Sequence, residues 1–371
     1  MPDGHDDHHN HHADTVFSSA DGDVITEGDG NYRVLASGSG DQITLGNGNQ
    51  FVAVSGTSDV IAIGDTPGMS SIVSTGGIAE INAGDGNVTV LAGGDDNTVM
   101  LGDGHDTVLA SGMLNHIEVG SASGSNDRNL VTTGGNSTVI MGAGRNTVFA
   151  SGDVNTITTG DGVQRITAVG EFNQVSIGNT PAGGGADDAG CMGDGDHGAR
   201  SAIQTGDFAR INAGDGNVSV TATGGHDMVQ AGAGDDSIFL LDGTNAGFNT
   251  VVLGNGSNQL LLTGEHNTVI GGGGTDMITA GTGNDVFMLN AAGSATTIDN
   301  FQSTDHVVLS ALLGGNTDGI TLTTTADPRF GSGAVDTLIT ATGATATAHV
   351  TLTNFDGGSV MAMLSAGMLA A

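Results

Sequence analysis

Four short segments of the chain combine glycine, aspartate and a large apolar residue in one order, and this combination has a defined metal chemistry. They are residues 102–108 (GDGHDTV), 232–238 (GAGDDSI), 272–278 (GGGTDMI) and 281–287 (GTGNDVF). Glycine at the first and third positions permits positive φ and lets backbone carbonyls turn toward a common centre. Carbonyl and carboxylate oxygens are the hard ligands of which Ca²⁺ takes six to eight. These segments therefore predict turns that can bind calcium.

Such turns recur along the chain at a nearly fixed spacing, which predicts the elements that position them. Long turns begin mostly 18 residues apart, at Gly28, Gly46, Gly64, Gly84, Gly102, Gly142, Gly160, Gly178, Gly214, Gly232, Gly254 and Gly272. Short turns fall between them, at Gly38, Gly56, Gly94, Gly112, Gly152, Gly170, Gly206, Gly224 and Gly264. A fixed internal period of this length is typical of solenoid architectures.

The residues between the turns form columns of apolar side chains in constant phase. The sixth residue after each long-turn glycine is Val34, Val52, Val90, Val108, Val148, Ile166, Val220, Ile238, Leu260 or Ile278. The eighth residue after each long-turn glycine forms a second column, from Ala36 to Ala280. The fifth residue after each short-turn glycine forms a third column, from Ile43 to Val269. Period-2 alternation between glycine turns predicts short strands. A β-sandwich does not explain one register kept over most of the chain, so we expect an all-β parallel β-solenoid, two strands per coil. About a dozen coils at ~4.8 Å each would give a rod of roughly 60–70 Å.

The glycine-aspartate segments resemble the RTX (haemolysin-type) calcium-binding repeat, closely over residues 224–290 and more loosely over about two-thirds of the chain. The resemblance implies a parallel β-roll in which calcium lies between successive turns, bound by backbone carbonyls and by the motif aspartate of two coils. Carried onto this sequence, it implies several calcium ions and a site set of Gly102, Gly104, Asp106, Gly232, Gly234, Asp236, Gly272, Gly274, Asp276, Gly281, Gly283 and Asp285, with Asp227 as a weaker match. Aspartates stacked ~5 Å apart repel by about 3 kcal/mol per pair at an effective dielectric constant near 20, so bound cations would make such turns cohesive.

The N-terminal coils depart from this pattern. The expected aspartate position holds Tyr32, Gln50, Val88, Asn146, Gln164 and Val218 instead. Acidic residues stand earlier in the turns, and we keep as weaker metal candidates Asp29, Asp85, Asp103, Asp161, Asp215 and Asp235. The short turns carry one more constant polar position, occupied by Asp41, Asp59, Asn97, Asn115, Asn155, Asn173 and Asn267. For that position we favour an inward ladder of amides hydrogen-bonded from coil to coil, with metal ligation as the alternative.

Composition excludes several classes of function. The chain has 41 acidic and seven basic residues and a formal charge of −34, which is incompatible with nucleic-acid binding as the main activity. Aromatic residues are 3% of the chain, so we expect no aromatic platform for sugars or bases. The single cysteine, Cys191, excludes an intramolecular disulfide framework. No apolar run is long enough to span a membrane, and the first residues lack the basic and apolar regions of a cleaved signal peptide.

Three regions lack the repeat: residues 1–21, predicted as a flexible tail rich in His and Asp; 181–203, predicted as an excursion loop; and 293–371, predicted as a C-terminal cap and secretion region. Between them we predict a solenoid of variant repeats over residues 22–180 and a solenoid of full calcium repeats over residues 204–292. The tail could capture zinc or nickel through His5, His8, His9, His11 and His12, or be a solvated polar segment. Cys191 lies on the predicted excursion loop. The last region resembles the uncleaved C-terminal signal of proteins exported by type I secretion, which implies a secreted or cell-surface location.

The leading functional hypothesis is a secreted, calcium-stabilised structural or surface protein of S-layer, matrix or adhesin type, not an enzyme. Its expected partners are calcium, the type I secretion apparatus, and either further copies of itself or a cell-surface polysaccharide. The first alternative is a polysaccharide-modifying enzyme or binding module on a solenoid face, which the lack of lysine and of an aromatic groove disfavours. The second is an ice-binding protein, which would need a regular outward threonine array.

Overall fold

In the computed structural model, the chain is an all-β parallel β-solenoid of about 15 turns with ~18 residues per coil and only 3% helix. The structure describes residues 13–122, 128–181, 200–242, 247–289, 293–309, 313, 317–326, 335–343 and 347–370. The chain divides into two compact units, an N-terminal one, Met1–Ala150, and a C-terminal one, Ser151–Ala371. The predicted fold class is confirmed, with about three more coils than the glycine spacing alone predicts.

Strands in the N-terminal unit alternate between two parallel sheets. They are β1 (Asp14–Ser18), β2 (Val24–Glu27), β3 (Tyr32–Ala36), β4 (Gln42–Leu45), β5 (Gln50–Val54), β6 (Asp59–Ile63), β7 (Thr66–Thr75), β8 (Ala79–Ala83), β9 (Gly86–Ala92), β10 (Thr98–Leu101), β11 (Thr107–Ala110), β12 (His116–Val119), β13 (Arg128–Thr133), β14 (Thr138–Met141) and β15 (Arg145–Ser151). Each odd-numbered strand pairs in parallel with the next odd-numbered one. The even-numbered strands do the same.

The C-terminal unit continues the same alternation and ends in a small antiparallel addition. Its strands are β16 (Thr156–Thr159), β17 (Gln164–Val169), β18 (Gln174–Ile177), β19 (Ser201–Thr205), β20 (Arg210–Asn212), β21 (Val218–Thr223), β22 (Met228–Gln230), β23 (Ser237–Leu241), β24 (Thr250–Val252), β25 (Gln259–Leu262), β26 (Thr268–Ile270), β27 (Thr275–Thr279), β28 (Val286–Met288), β29 (Ala295–Asp299), β30 (His306–Val308), β31 (Ile320–Ala326), β32 (Val335–Thr342), β33 (Thr347–Leu352) and β34 (Leu369–Ala370). A 3₁₀ turn occupies Thr317–Gly319, and the helix α1 occupies Val360–Ser365. Among the described residues, no helix is long and apolar enough to cross a membrane.

The solenoid ladders extend beyond both limits set by the repeat pattern. β1, which lies within the predicted tail, pairs with β3 in the 18-residue register, Asp14 opposite Tyr32. Beyond Leu289, β29 pairs in parallel with β27 and β30 with β28. β33 and β34 then add to β29 and β30, and β31 to β33 form an antiparallel meander. These strands kept the period-2 alternation after their turns had lost the glycine pattern.

The three apolar columns form the core. Every member of the column from Val34 to Ile278 is at most 2% exposed, and the columns from Ala36 and from Ile43 are at most 5% exposed. In-register stacking of these side chains follows from the parallel pairing of equivalent strands, such as Val52 on Val34 and Ile61 on Ile43. The predicted columns are confirmed.

Glycine serves two different purposes in the long turns. At the third position the backbone has positive φ, for example 152° at Gly234 and 103° at Gly274, as expected. At the first position the expectation of positive φ is wrong, because that glycine instead lies directly against the carbonyl of the preceding coil. A Cβ added at Gly272 would lie 1.6 Å from the carbonyl oxygen of Gly254, so a side chain is excluded there by steric overlap.

Candidate metal centre: two buried side-chain ladders

Two columns of buried polar side chains run through the solenoid, one beside the long turns and one beside the short turns. The long-turn ladder comprises Gln50, Ser71, Asp106, Asn129 and Asn146 in the N-terminal unit, and Gln164, Ser201, Asp236, Asn258 and Asp276 in the C-terminal unit. The short-turn ladder comprises Asp41, Asp59, Asn97, Asn115 and Ser137 in the first unit, and Asn155, Asn173, Asp227, Asn249, Asn267, Asp285 and Asp305 in the second. None of these side chains is more than 2% exposed. Polar groups buried to this degree must find hydrogen-bond or metal partners.

One oxygen of each typical rung bonds to the backbone of the preceding coil. The Asn97 amide N–H donates to Asn115 Oδ1 at 3.1 Å, that of Val88 to Asp106 Oδ1 at 2.9 Å, and that of Asn267 to Asp285 Oδ1 at 2.8 Å. The coil-to-coil ladder predicted for the short turns is therefore confirmed, and a second such ladder follows the long turns.

Asparagine rungs also close their own turn. Asn97 Nδ2 donates to the Gly94 carbonyl at 2.9 Å, and Asn173 Nδ2 donates to that of Gly170 at 3.0 Å. In the long-turn ladder, Asn146 Nδ2 donates to the Gly142 carbonyl at 2.9 Å. Asn97 therefore uses both side-chain atoms, donating through Nδ2 and accepting through Oδ1 from the backbone of the preceding coil, as Asn173 does, whereas the buried Oδ1 of Asn146 has no donor among the described residues.

Aspartate rungs accept the backbone N–H of the neighbouring coil but do not make the second hydrogen bond, to the turn carbonyl. Among the described residues, no donor reaches the second carboxylate oxygen, Oδ2, of Asp41, Asp59, Asp106, Asp227, Asp236, Asp276 or Asp285. An ionised carboxylate can only accept hydrogen bonds, so it cannot donate to the turn carbonyl as an asparagine does. Each of these oxygens requires either a proton or a cation.

The electrostatics of the ladders reflect this deficit. Burial raises the pKa of Asp106 to about 7, with smaller contributions from the neighbouring charges of Asp103 and Asp85. Burial likewise raises the pKa of Asp227 to about 7 and the pKa values of Asp236 and Asp285 to about 6. The pKa of Asp276 is also raised by burial, against hydrogen bonds from Asn258 that lower it. The calcium-free ladder therefore disfavours the charged form of these groups.

All five motif aspartates expected to bind calcium are ladder rungs, but the structure does not stack them on one another. Asp236 and Asp276 are separated by Asn258, which accepts from the Asp236 amide and donates from Nδ2 to Asp276 Oδ1 at 2.9 Å. Asp285 is adjacent to Asp305, a rung that the sequence reasoning missed because it lies after the last glycine repeat. Among the described residues, no three His, Cys, Asp or Glu side chains converge into a group that could hold a metal. A calcium ion at these turns would therefore depend on one or two carboxylates and on neutral oxygens.

The weaker candidates form a separate outer ladder on the turn surface. Asp29, Asp85, Asp103, Asp161, Asp215 and Asp235 are all exposed. Their Oδ1 atoms accept backbone N–H groups of the following coil, as from Asp103 to Asp85 at 2.9 Å and from Ala233 to Asp215 at 2.8 Å. These aspartates order the turns, and their position gives no buried oxygen that needs a cation.

Two predicted features lie outside the described residues. These are the tail histidines, His5 to His12, and Cys191 with most of the predicted excursion, residues 182–199. The end of that excursion, from Ser201, belongs to strand β19.

The short turns of the C-terminal unit carry an aromatic stack that composition did not reveal. Phe172, Phe208, His226, Phe248 and His266 stack with ring centroids 4.7–5.2 Å apart. All five have positive φ, and the three phenylalanines are 39–53% exposed. The ring faces lie against one another, so the stack joins successive turns instead of presenting free faces to a sugar. Its signal in the sequence was the recurrence of a ring two residues after the turn's first position.

Comparison of the chain with protein-family models, with curated proteins and with solved structures returned no match.

Proposed function

We propose that the chain is a calcium-binding structural protein of a cell surface or extracellular matrix, of the S-layer, matrix or adhesin type. The observation that supports this best is the buried, unpartnered Oδ2 of each motif aspartate: Asp106, Asp227, Asp236, Asp276 and Asp285. Calcium binds such oxygens together with neutral carbonyls, and it stabilises the folded state because the unfolded chain has no assembled site.

The residues present fit this metal. At Asn146 and Asn258 the side-chain amide donates to the carbonyl of the glycine four residues earlier, so we infer that the Oδ2 of an aspartate at an equivalent rung is directed toward the same carbonyl. For Asp236 and Asp276 the corresponding glycines are Gly232 and Gly272, which begin the motif. We propose on this basis that the turns bind calcium as the RTX resemblance implies, mainly in the C-terminal unit, where three of the four full motifs lie. Bound calcium would supply the positive charge that a buried carboxylate lacks.

The export route is a further part of the proposal. We infer type I secretion from the resemblance of residues 293–371 to the C-terminal signal region of proteins exported that way. Co-expression with a type I transporter is expected to bring the full chain into the medium, whereas a chain lacking residues 353–371 is expected to remain in the cells.

The decisive experiment is a calcium titration of the purified full chain. With excess chelator at pH 8 we expect an expanded chain. With 10 mM Ca²⁺, about tenfold above the weakest dissociation constants of extracellular calcium modules, we expect a β-rich far-UV circular dichroism spectrum. Magnesium at the same ionic strength is the control, since it demands a stricter octahedral geometry. Identical spectra in chelator and in calcium would show that the polar ladders hold the solenoid without metal.

Self-association is the proposed consequence of the charge. A net charge of −34 keeps copies apart, and calcium bound between exposed carboxylates such as those of the outer ladder would allow contact. We expect monomers in chelator and larger species in calcium by sedimentation velocity. A chain that stays monomeric at high concentration in calcium would contradict self-association and would favour binding to another partner, such as a surface polysaccharide.

The two alternative functions remain predictions with their own tests. A polysaccharide-modifying enzyme would act on a polyuronate, and an ice-binding protein would produce thermal hysteresis. The outward sheet faces mix residue types, for example Leu35, Ala53, Ser74 and Leu91 in successive rungs, which is not the regular threonine array that ice binding needs.

A further inference from the structure

Two adjacent rungs of the short-turn ladder in the N-terminal unit, Asp41 and Asp59, differ from every other pair in the described part of the chain. Both side chains are buried, at 0% and 1% exposure, and the Asp41 amide donates to Asp59 Oδ1 at 3.0 Å. Neither Oδ2 has a donor. These two carboxylates lie one coil apart, about 4.8 Å, and each has one oxygen with no partner.

The neighbouring rungs do not resolve this conflict. On one side, half-buried Asp23 accepts from Ser18 Oγ and from the Ala20 amide at 3.1 Å, so its second oxygen is satisfied. On the other side, the next rung is Ala79, whose side chain has no polar atom. The comparable pair Asp285 and Asp305 is different, because Asp305 Oδ2 accepts the Gln302 amide at 2.7 Å.

The turn backbone supplies further oxygens. At the equivalent rungs, Asn97 and Asn115 donate from Nδ2 to the glycine carbonyl three residues earlier, Gly94 and Gly112. For Asp41 and Asp59 the corresponding carbonyls are those of Gly38 and Gly56, and these two glycines are stacked so closely that a Cβ on Gly56 would overlap the Gly38 oxygen. Two carboxylate and two carbonyl oxygens therefore face the same turn in successive coils.

We propose that Asp41 and Asp59, with the carbonyls of Gly38 and Gly56, form a site for one hard divalent cation, Ca²⁺. The site lies in the turns SGSGD and SGTSD, outside the glycine-aspartate motifs, and it does not depend on the calcium sites proposed for the C-terminal unit. Its all-oxygen ligand set selects calcium over zinc or copper, which prefer nitrogen and sulfur ligands. Burial and the nearby charge of Asp41 raise the pKa of Asp59, consistent with a carboxylate that lacks a counterion.

Native mass spectrometry of the full chain in calcium, which counts bound ions, tests the proposal. The variant carries both Asp41→Asn and Asp59→Asn, which reproduce the asparagine pair found at Asn97 and Asn115 and are therefore expected to fold. We expect this variant to bind one calcium ion fewer than the wild-type chain. A matched variant with Asp276→Asn and Asp285→Asn should keep this ion while losing the calcium bound at Asp276 and Asp285.

Hydrogen exchange of peptides covering residues 37–63 provides the local readout. In the wild type we expect exchange in these peptides to slow at least tenfold in calcium relative to magnesium, and the Asp41/Asp59 variant should lose this difference. An unchanged ion count in that variant would overturn the proposal. Wild-type exchange that responds to acidification but not to calcium would also overturn it, because the pair would then share a proton. If only the Asp276/Asp285 variant kept its full ion count, the proposed calcium motif would be wrong while this site stood.

Discussion

Asp106 in the long-turn ladder and Asp85 in the outer ladder each accept one backbone N–H from a neighbouring coil, at 2.9 Å in both cases. Asp106 accepts from the preceding coil and Asp85 from the following one. The large difference is in the second oxygen, which is buried without a donor at Asp106 and exposed to water at Asp85. The same residue with the same first hydrogen bond therefore organises a turn in one place and requires a proton or cation in the other.

The pH dependence of the calcium-free chain should separate the two ladders most strongly. A carboxyl whose pKa is raised in the folded state stabilises the fold fully below its unfolded pKa, near 3.9, and this contribution is lost as the pH rises through the folded value. For Asp106, Asp227, Asp236 and Asp285 the folded values are about 6 to 7, so stability in chelator should fall by several kcal/mol in total between pH 4 and pH 7. Far-UV circular dichroism of thermal unfolding measures it.

The matched control for this profile replaces those four aspartates with asparagine. The slope between pH 4 and pH 7 should flatten, whereas replacing four outer-ladder aspartates, Asp29, Asp85, Asp161 and Asp215, should leave it nearly unchanged. Equal flattening by both variants would mean that net charge, not burial, governs the profile.

The calcium concentration needed for folding should also depend on the buried aspartates more than on the outer ones, with a smaller change in free energy than in the pH profile. Asp276→Ala together with Asp285→Ala removes two buried ligands, and we expect the calcium concentration for half-folding to rise about a hundredfold, roughly 2.7 kcal/mol. Asp29→Ala together with Asp85→Ala should shift it less than threefold, since exposed carboxylates keep water as a partner. The titration is followed by circular dichroism, and similar shifts from both pairs would contradict the assignment of calcium to the buried rungs.

A single amide substitution should make a ladder rung independent of metal. Asp106→Asn supplies an Nδ2 donor toward the Gly102 carbonyl, as Asn146 supplies one to Gly142. In chelator at pH 8 we expect stabilisation on the order of 2 kcal/mol, because a buried acceptor without a donor is replaced by a satisfied pair. The midpoint of osmolyte-induced folding measures it, with Asp85→Asn as the control. A lower stability of Asp106→Asn would show that the turn carbonyl is not the amide's partner.

The smallest effect concerns the exposed turn positions with positive φ. Val154 has φ of 62° and is 50% exposed, and a β-branched residue is strained in this conformation. Asn136 occupies the same kind of position with φ of 52°. Val154→Asn should therefore raise the free energy of unfolding by about 1 kcal/mol, in calcium and in chelator alike, as measured by thermal unfolding. A gain seen only in calcium would indicate that this surface also takes part in metal binding.

The sequence was sufficient to predict the architecture because the same pattern of turn and strand residues recurs in every coil of a solenoid. Period-2 alternation defined the strands, and the columns such as Val34 to Ile278 defined which face is buried and which residues stack. The strands at the two ends of the repeat, Asp14–Ser18 and Ala295–Asp299, were not predicted as part of the solenoid, because their turns do not carry the glycine pattern. The role of glycine at the first turn position was predicted wrongly: its close approach to the carbonyl of the preceding coil, and not a positive φ, excludes a side chain there.

The sequence shows which residues form the candidate sites, but it does not show their hydrogen-bond partners or the charge states of their carboxyl groups. A period of 18 identifies Asp106, Asp236, Asp276 and Asp285 as equivalent turn residues, yet their partners come from rungs one coil away whose distance along the chain varies from 18 to 23 residues. Only the folded register decides that Asp276 receives the Asn258 side-chain amide and that Asp285 adjoins Asp305. The same register decides that Asp41 and Asp59 occupy successive rungs whose second oxygens, Oδ2, have no donor. Local sequence determines which groups a turn contains, whereas the charge state that a buried carboxylate can hold depends on what the neighbouring coil brings to its second oxygen.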